Sequence, residues 1–258
     1  MKQSEINCWG IDALTLKLLA MAFMLLDHIW ATVWSVPWFT VIGRLAFPVF
    51  AFQIVEGFYH TSDRKRYMKR MALFALLSEI PFNLMVADSF IYPFHQNVML
   101  TFLIALLLMN WMESKRGSLP KFIGVSLVCV VLAFVLGIVT FTDYYQYGIF
   151  MVFLFYWTYK IPFGWLVQLF GMLYICDSMA GLMYPVELFG RSFEIGQQMF
   201  AVLALIPIWL YNGRQGYHSK PLQYACYAFY PAHMLVLYLI SKLLYRMCAT
   251  QIQTNCCF

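Results

Sequence analysis

Apolar residues along this chain come in long runs broken by short polar clusters, with neither the strict alternation of half-buried strands nor the polar stripe of soluble amphipathic helices. Matched against a hydrocarbon thickness that takes about 20 residues per helix, the runs predict about nine helices. Their expected limits are 16–36, 38–59, 67–88, 97–113, 121–141, 147–161, 164–183, 195–211 and 222–245. The runs at 97–113 and 147–161 are short, and the run at 195–211 contains Pro207. No sequence repeat of fixed period is visible, which weakens a standard transporter architecture built on inverted repeats. The fold class expected is therefore all-α, a polytopic membrane bundle forming a single domain over residues 1–258.

Composition sharpens that picture. Of 258 residues, 62% are hydrophobic and only 11% charged, which cannot clothe a water-soluble core. An outer-membrane barrel is disfavoured, because its segments would alternate over about ten residues. The net charge of +5 comes from basic residues dispersed among loops, so nucleic acid is not an expected partner. Seven cysteines, including Cys8 and the adjacent Cys256 and Cys257, show no metal-binding spacing, and no metal is expected. The Cys256-Cys257 pair does not read as a prenylation box, and the first apolar run reads as a span, so no cleavable signal peptide is expected.

Basic residues also orient the chain. Arg64, Lys65, Arg66, Lys69 and Arg70 follow the second run; Lys115, Arg116 and Lys121 flank a later connection; Arg214 and Lys220 lie in another. Positively charged loops stay in the cytoplasm, so nine spans put the N-terminus inside. Residues 89–96 and 142–146 hold no Lys or Arg, as outer loops should, whereas Lys242 and Arg246 conflict mildly with this arrangement. The cluster from Arg64 to Arg70 has three readings: topogenic charge, attraction of anionic lipid, or a seat for the phosphates of a nucleotide-bearing donor.

Ionisable groups at membrane depth cost about 3 kcal/mol or more each, so their positions carry information. Asp27 and His28 lie past the middle of the first run, Arg44 and Glu56 in the second, Glu79 and Asn83 in the third, Asp177 in the seventh and His233 in the ninth. Gln96, Asn97 and Asp143 fall at the outer mouth. One shared polar cavity is the economical expectation.

Within it His28 is the sharpest candidate, because imidazole can take and return a proton near neutral pH; the competing reading is a single hydrogen bond between helices. Asp27 is about 100° away around the helix, so another helix is expected to orient His28, with Glu79 and Asp143 as the candidate carboxylates. Glu79 is the expected partner of Arg44, in a pair that either locks helices or binds substrate. Glu79 and Asn83 share a helix face, and Pro81 between them is expected to kink the helix. Trp30, Trp34 and Trp38 read as an interfacial belt.

These residues fall into blocks that resemble the TraX family of membrane acetyltransferases. They are Met24 to His28; Gly43 to Phe52 followed by Val55 to His60; Ser78-Glu79-Ile80-Pro81-Phe82-Asn83; Gln96-Asn97-Val98; Asp143-Tyr144 with Tyr147-Gly148; and Phe229-Tyr230-Pro231-Ala232-His233. The family is itself distantly similar to the acyltransferase-3 proteins. The resemblance implies a multi-pass protein of the bacterial inner membrane that moves an acetyl group from cytoplasmic acetyl-CoA to an extracytoplasmic amine or hydroxyl: a pilin or peptide N-terminus, or a cell-surface sugar. It makes His28 the catalytic base or acyl carrier, with Asp27 and Glu79 beside it. Arg44, Asn83, Gln96, Asn97, Asp143 and His233 would line or support the site, and Arg64, Lys65, Arg66, Lys69 and Arg70 would take the CoA phosphates. The rival expectations are a transporter or proton-coupled carrier using the same buried charges, and a scaffold in which they only lock helices. Residues 160–220 match in hydropathy alone, so the acceptor is not legible.

Overall fold

The computed structural model describes residues 10–179, 181–188 and 190–255; Cys8, Cys256 and Cys257 lie outside them. Helix α1, Ala13–Thr32, starts where the Asp12 carboxylate accepts a hydrogen bond from the Thr15 backbone N–H at 2.7 Å. The chain turns at residues 33–36 and Pro37 opens α2, Pro37–Gly43. After a break at Arg44-Leu45, α3 runs Ala46–His60. The expected second helix is thus two helices, and Pro48 supplies the reason. A proline ring clashes with the carbonyl four residues earlier, here that of Arg44, whereas in the first turn of a new helix it is tolerated.

Asp63 caps α4, Arg64–Ala87, which contains Pro81 and ends at Asp88 in the left-handed region at φ 53°. Then come α5 (Val98–Glu113), α6 (Leu119–Val139), α7 (Tyr145–Trp157) and α8 (Gly164–Asp177). The expected helix 164–183 stops at Asp177, and an antiparallel hairpin of β1 (Met183–Leu188) and β2 (Arg191–Gly196) follows, paired from Met183 with Gly196 to Leu188 with Arg191. A 3-10 helix, Gln197–Ala204, leads into α9, Leu205–Trp209, and α10 spans Lys220–Asn255.

The buried core runs along α3, α5 and α7, where Val49, Val55, Phe58, Ala105, Leu106, Met109, Ile149, Val152 and Phe153 are fully enclosed. Among the described residues five segments, one of them containing α3, are long and apolar enough to cross a membrane: Ala13–Thr32, Pro37–His60, Arg64–Ala87, Leu119–Val139 and Lys220–Cys248. Helix α6 turns Leu127, Val131, Val135 and Val139 outward. A helix apolar on its exposed face is one solvated by lipid. The expectation of an all-α membrane bundle therefore stands, with the hairpin as its one departure among the described residues.

Contacts between connections define two ends. At one, Arg116 donates to the Tyr59 hydroxyl at 3.1 Å, Tyr211 donates to Glu56 at 3.0 Å, and Ile11 bridges to Tyr211. This end carries the loop cations. At the other, Gln96 and Thr142 join two loops through their backbones, and Gln197 reaches Thr40. Lys242 also lies there, and its charge is met by Asp88 at 2.5 Å, with the Tyr238 hydroxyl on the same carboxylate at 2.9 Å.

Candidate functional site

The half-buried groups that the sequence singled out meet where α1, the α2–α3 break and α10 converge. Asp27 accepts hydrogen bonds from the Thr40 hydroxyl at 2.8 Å and from the Arg44 guanidinium, with which it forms an ion pair. Thr40 in turn accepts from the Gln197 amide. Arg44 therefore pairs with Asp27 and not with Glu79, because the Pro48-enforced break ends α2 beside α1. Gly43 permits that approach: a Cβ there would lie 2.4 Å from Asp27 Cβ. The Nε of Arg44 is buried without a hydrogen-bond partner.

His28 meets His233, at 2.7 Å between Nδ1 and Nε2. The ring planes are 9° from parallel with centroids 4.9 Å apart. Among the described residues no carboxylate orients His28, against the expectation that Glu79 or Asp143 would do so. Both are engaged elsewhere. Glu79 accepts from the Asn97 amide at 2.5 Å, and that same amide reaches the Ala75 carbonyl at 2.9 Å. Asn97 also caps α5 through a 3.1 Å bond from the Met99 N–H, so its buried side chain ties α4 to α5. Asp143 meets His95 at 3.4 Å. That hydrogen bond raises the pKa of His95 above the usual histidine value, against the opposing effect of burial.

Other expected members are peripheral. Asn83 is buried and donates to the Phe90 carbonyl at 3.3 Å, turned toward its own loop. The Gln96 amide donates to the Pro93 carbonyl at 3.2 Å, and Asp177 sits exposed at the end of α8. Glu56 lies at the cationic end, 3.0 Å from His60.

From that cationic end a cavity of about 480 Å³ runs inward between α1, α3, α4 and α10. Lys17, Glu56, His60, Arg70, Tyr211 and His218 line its outer part, while Met24, Phe102, Phe229 and Tyr230 lie toward its inner part. Met24 and Phe229 precede His28 and His233 by four residues each, so the cavity reaches to within one helical turn of the imidazole pair. Of the five cations proposed for phosphate, Arg70 alone is on this wall. Arg64 packs over the Phe58 ring at 4.1 Å, and Lys65, Arg66 and Lys69 are exposed on the first turns of α4.

Sequence reasoning missed Thr40, Gln197, His95, Lys17 and His218, and gave His60 no role beyond its place in the Val55 to His60 block. The run His95-Gln96-Asn97 between apolar stretches was a readable signal for His95. Gln197 stands beside Gln198 at the start of the expected run 195–211, where paired amides read as an ordinary polar helix end.

Fold and polar cluster together define a helical membrane protein with a histidine pair and an ion pair held inside the bundle. Residues 13–241 match the TraX protein family, and the chain belongs to it. It is 26% identical over 246 residues to a probable fimbrial assembly protein FimC, serogroup H1, of Dichelobacter nodosus, covering 88% of this chain and 94% of that one. No solved structure matches.

Proposed function

We propose that this protein is a membrane-embedded acetyltransferase that moves an acetyl group from cytoplasmic acetyl-CoA to an amine or hydroxyl on the opposite side of the bacterial inner membrane. The observation that carries the reading is the paired imidazole of His28 one helical turn beyond a cavity that starts among Lys17, His60, Arg70 and His218. Its volume of about 480 Å³ is ample for the arm of a thioester donor, since small-molecule sites run to about 300–1,000 Å³. Cations at its outer end suit phosphates, and apolar walls farther in suit an alkyl thioester. The proposed topology is nine crossings with the N-terminus in the cytoplasm, which puts the cationic end inside by the charge rule.

In this reading His28 accepts the proton of the acceptor N–H or O–H as that atom bonds to the acetyl carbon; the carbon–sulfur bond then breaks and the thiolate takes the proton from His28. Alternatively a His28 ring nitrogen attacks the acetyl carbon and the carbon–sulfur bond breaks to release the thiolate; the acceptor then attacks the acetyl-imidazole, the nitrogen–carbon bond breaks, and the acceptor proton passes to the thiolate. The free Nε–H of Arg44 is the proposed donor to the oxyanion; such a preorganised donor contributes about 3–4 kcal/mol. Asp27 holds Arg44, and Asn97 positions Glu79 between α4 and α5. The acceptor is proposed to arrive at the end holding His95 and Asp143, whose side chains are 39% and 30% exposed. Because a relative bears the name of a fimbrial assembly protein, a pilin N-terminus is the first acceptor to test.

The test is purified protein in nanodiscs with radiolabelled acetyl-CoA and a synthetic peptide carrying a free N-terminus. Label should pass to the peptide, and His28→Ala should abolish transfer while leaving the protein folded. Transfer undiminished in His28→Ala would sink the mechanism, and uptake of a solute into liposomes with no acetyl transfer would replace it with transport. An acetyl-histidine adduct trapped in a single turnover would select the carrier route.

A further inference from the structure

We propose that His233 is the positioning residue that locks the tautomer of His28, leaving Nε2 of His28 as the lone-pair nitrogen that does the chemistry. Only the consequence for the reaction rests on the acetyltransferase reading.

The argument starts from an acceptor that cannot also donate. The Nδ1 of His233 lies 2.7 Å from the backbone carbonyl of Phe229, one turn earlier in α10. A carbonyl oxygen has lone pairs and no proton, so the bond exists only if His233 Nδ1 carries the hydrogen. In a neutral imidazole one nitrogen is protonated and the other bears a lone pair. His233 Nε2 is therefore the acceptor of the 2.7 Å contact with His28 Nδ1, and that nitrogen of His28 is the donor. Nε2 of His28 is left unprotonated. The direction of each bond follows from the one before it, ending at a peptide carbonyl.

Ring geometry agrees. The centroid separation of 4.9 Å is close to the largest that a 2.7 Å nitrogen–nitrogen contact permits, and the planes differ by 9°. The two imidazoles thus lie edge to edge, as an in-plane N–H to lone-pair bond requires. Phe229 stacks on His233 at 4.7 Å and 12°, and Tyr230 flanks it at 5.8 Å, which keeps that ring from turning over. The Tyr230 hydroxyl accepts from the Val98 N–H at 3.3 Å.

Charge distinguishes this pair from a histidine–carboxylate dyad. The nearby carboxylate, Asp27, is neutralised by Arg44 and held by Thr40. A neutral imidazole acceptor orients the His28 ring without placing a negative charge against it. When Nε2 accepts a proton, the Nδ1 hydrogen can shift toward His233 Nε2, so the positive charge is shared between the two rings while the bond to Phe229 is kept.

The test reads the tautomer directly. Protein labelled with 15N in its histidine rings, placed in nanodiscs, is examined by NMR, with His28→Asn used to assign the His28 signals. The expected result is a protonated Nδ1 and a bare Nε2 on His28. Two variants separate orientation from packing. His233→Gln keeps an accepting oxygen and should hold both the tautomer and kcat within a few-fold. His233→Leu removes the acceptor and should scramble the tautomer and lower kcat by about 10²-fold or more, with KM for acetyl-CoA little changed, as for other catalytic histidines deprived of their orienting partner. A wild-type spectrum with Nε2 of His28 protonated overturns the proposal, as does equal damage from Gln and Leu in folded protein. The expected spectrum with no acetyl transfer to any acceptor upholds the histidine lock and defeats the acetyltransferase reading. The wild-type spectrum decides even where His233→Leu does not fold.

Discussion

Gly43→Ala is the most direct probe of how closely α2 approaches α1 beside His28. An added Cβ would lie 2.4 Å from Asp27 Cβ, 2.7 Å from its Oδ1 and 2.9 Å from its Cα. A rotamer change at Asp27 can move the oxygen but not the Cα or Cβ, and Thr40 and Arg44 already hold the carboxylate. The helices must separate. Overpacking of this kind costs about 1–3 kcal/mol, against a gain of about 0.4–1 kcal/mol from a stiffer unfolded chain, and contact with backbone puts the cost at the upper end. A net loss of about 2 kcal/mol corresponds to a melting temperature lower by about 4–8 °C for a chain of this size. Gly124→Ala is the control: a Cβ on that α6 glycine meets nothing within 4 Å, so the better helix former should leave the melting temperature unchanged or raise it. Thermal unfolding of both variants in one detergent, followed by tryptophan fluorescence, measures the difference. If Gly43→Ala melts with or above wild type while Gly124→Ala behaves as described, the close contact behind the Asp27–Arg44 geometry is wrong.

Asp27→Asn should cost about 3–5 kcal/mol by stranding the Arg44 charge, and a second change, Arg44→Met, should recover much of it; a melting series on the two singles and the double checks this. Because the pKa of His95 is raised by Asp143, the pair adds stability below the unfolded histidine pKa and loses it as pH rises through the raised value. The stability gap between wild type and His95→Gln should accordingly be wider at pH 5.5 than at pH 8.5, and a gap that does not narrow with pH refutes the assignment. For the donor, Arg70→Gln should raise KM for acetyl-CoA about tenfold, as loss of a charged hydrogen bond does, whereas the exposed Lys65→Gln should change it little. Steady-state kinetics at fixed acceptor compares them.

What the chain alone determined was the class of molecule and the roll of polar residues inside it. Long apolar runs leave backbone groups no partner but a helix's own, so most helix limits are legible to within a few residues, although the expected 164–183 ends at Asp177 and the expected 222–245 extends to Asn255, and burying ionisable groups in lipid is costly enough that each one stands out. His28, Asp27, Arg44 and His233 were all found this way. Who meets whom was decided only in three dimensions. Arg44 needs an anion and Glu79 is the partner the sequence suggests, but the break four residues before Pro48 ends α2 against α1 and gives Arg44 to Asp27. A carboxylate was sought for His28, and the ninth apolar segment supplied an imidazole 205 positions away instead. Depth in a membrane follows from counting along a helix. The azimuth of each helix and the choice of its neighbours depend on packing among α1, α2, α4 and α10, and no local pattern encodes that. The hairpin at 183–196 shows the same limit, since its strand pairing is a contact within a segment that hydropathy marks almost entirely as the connection between two spans.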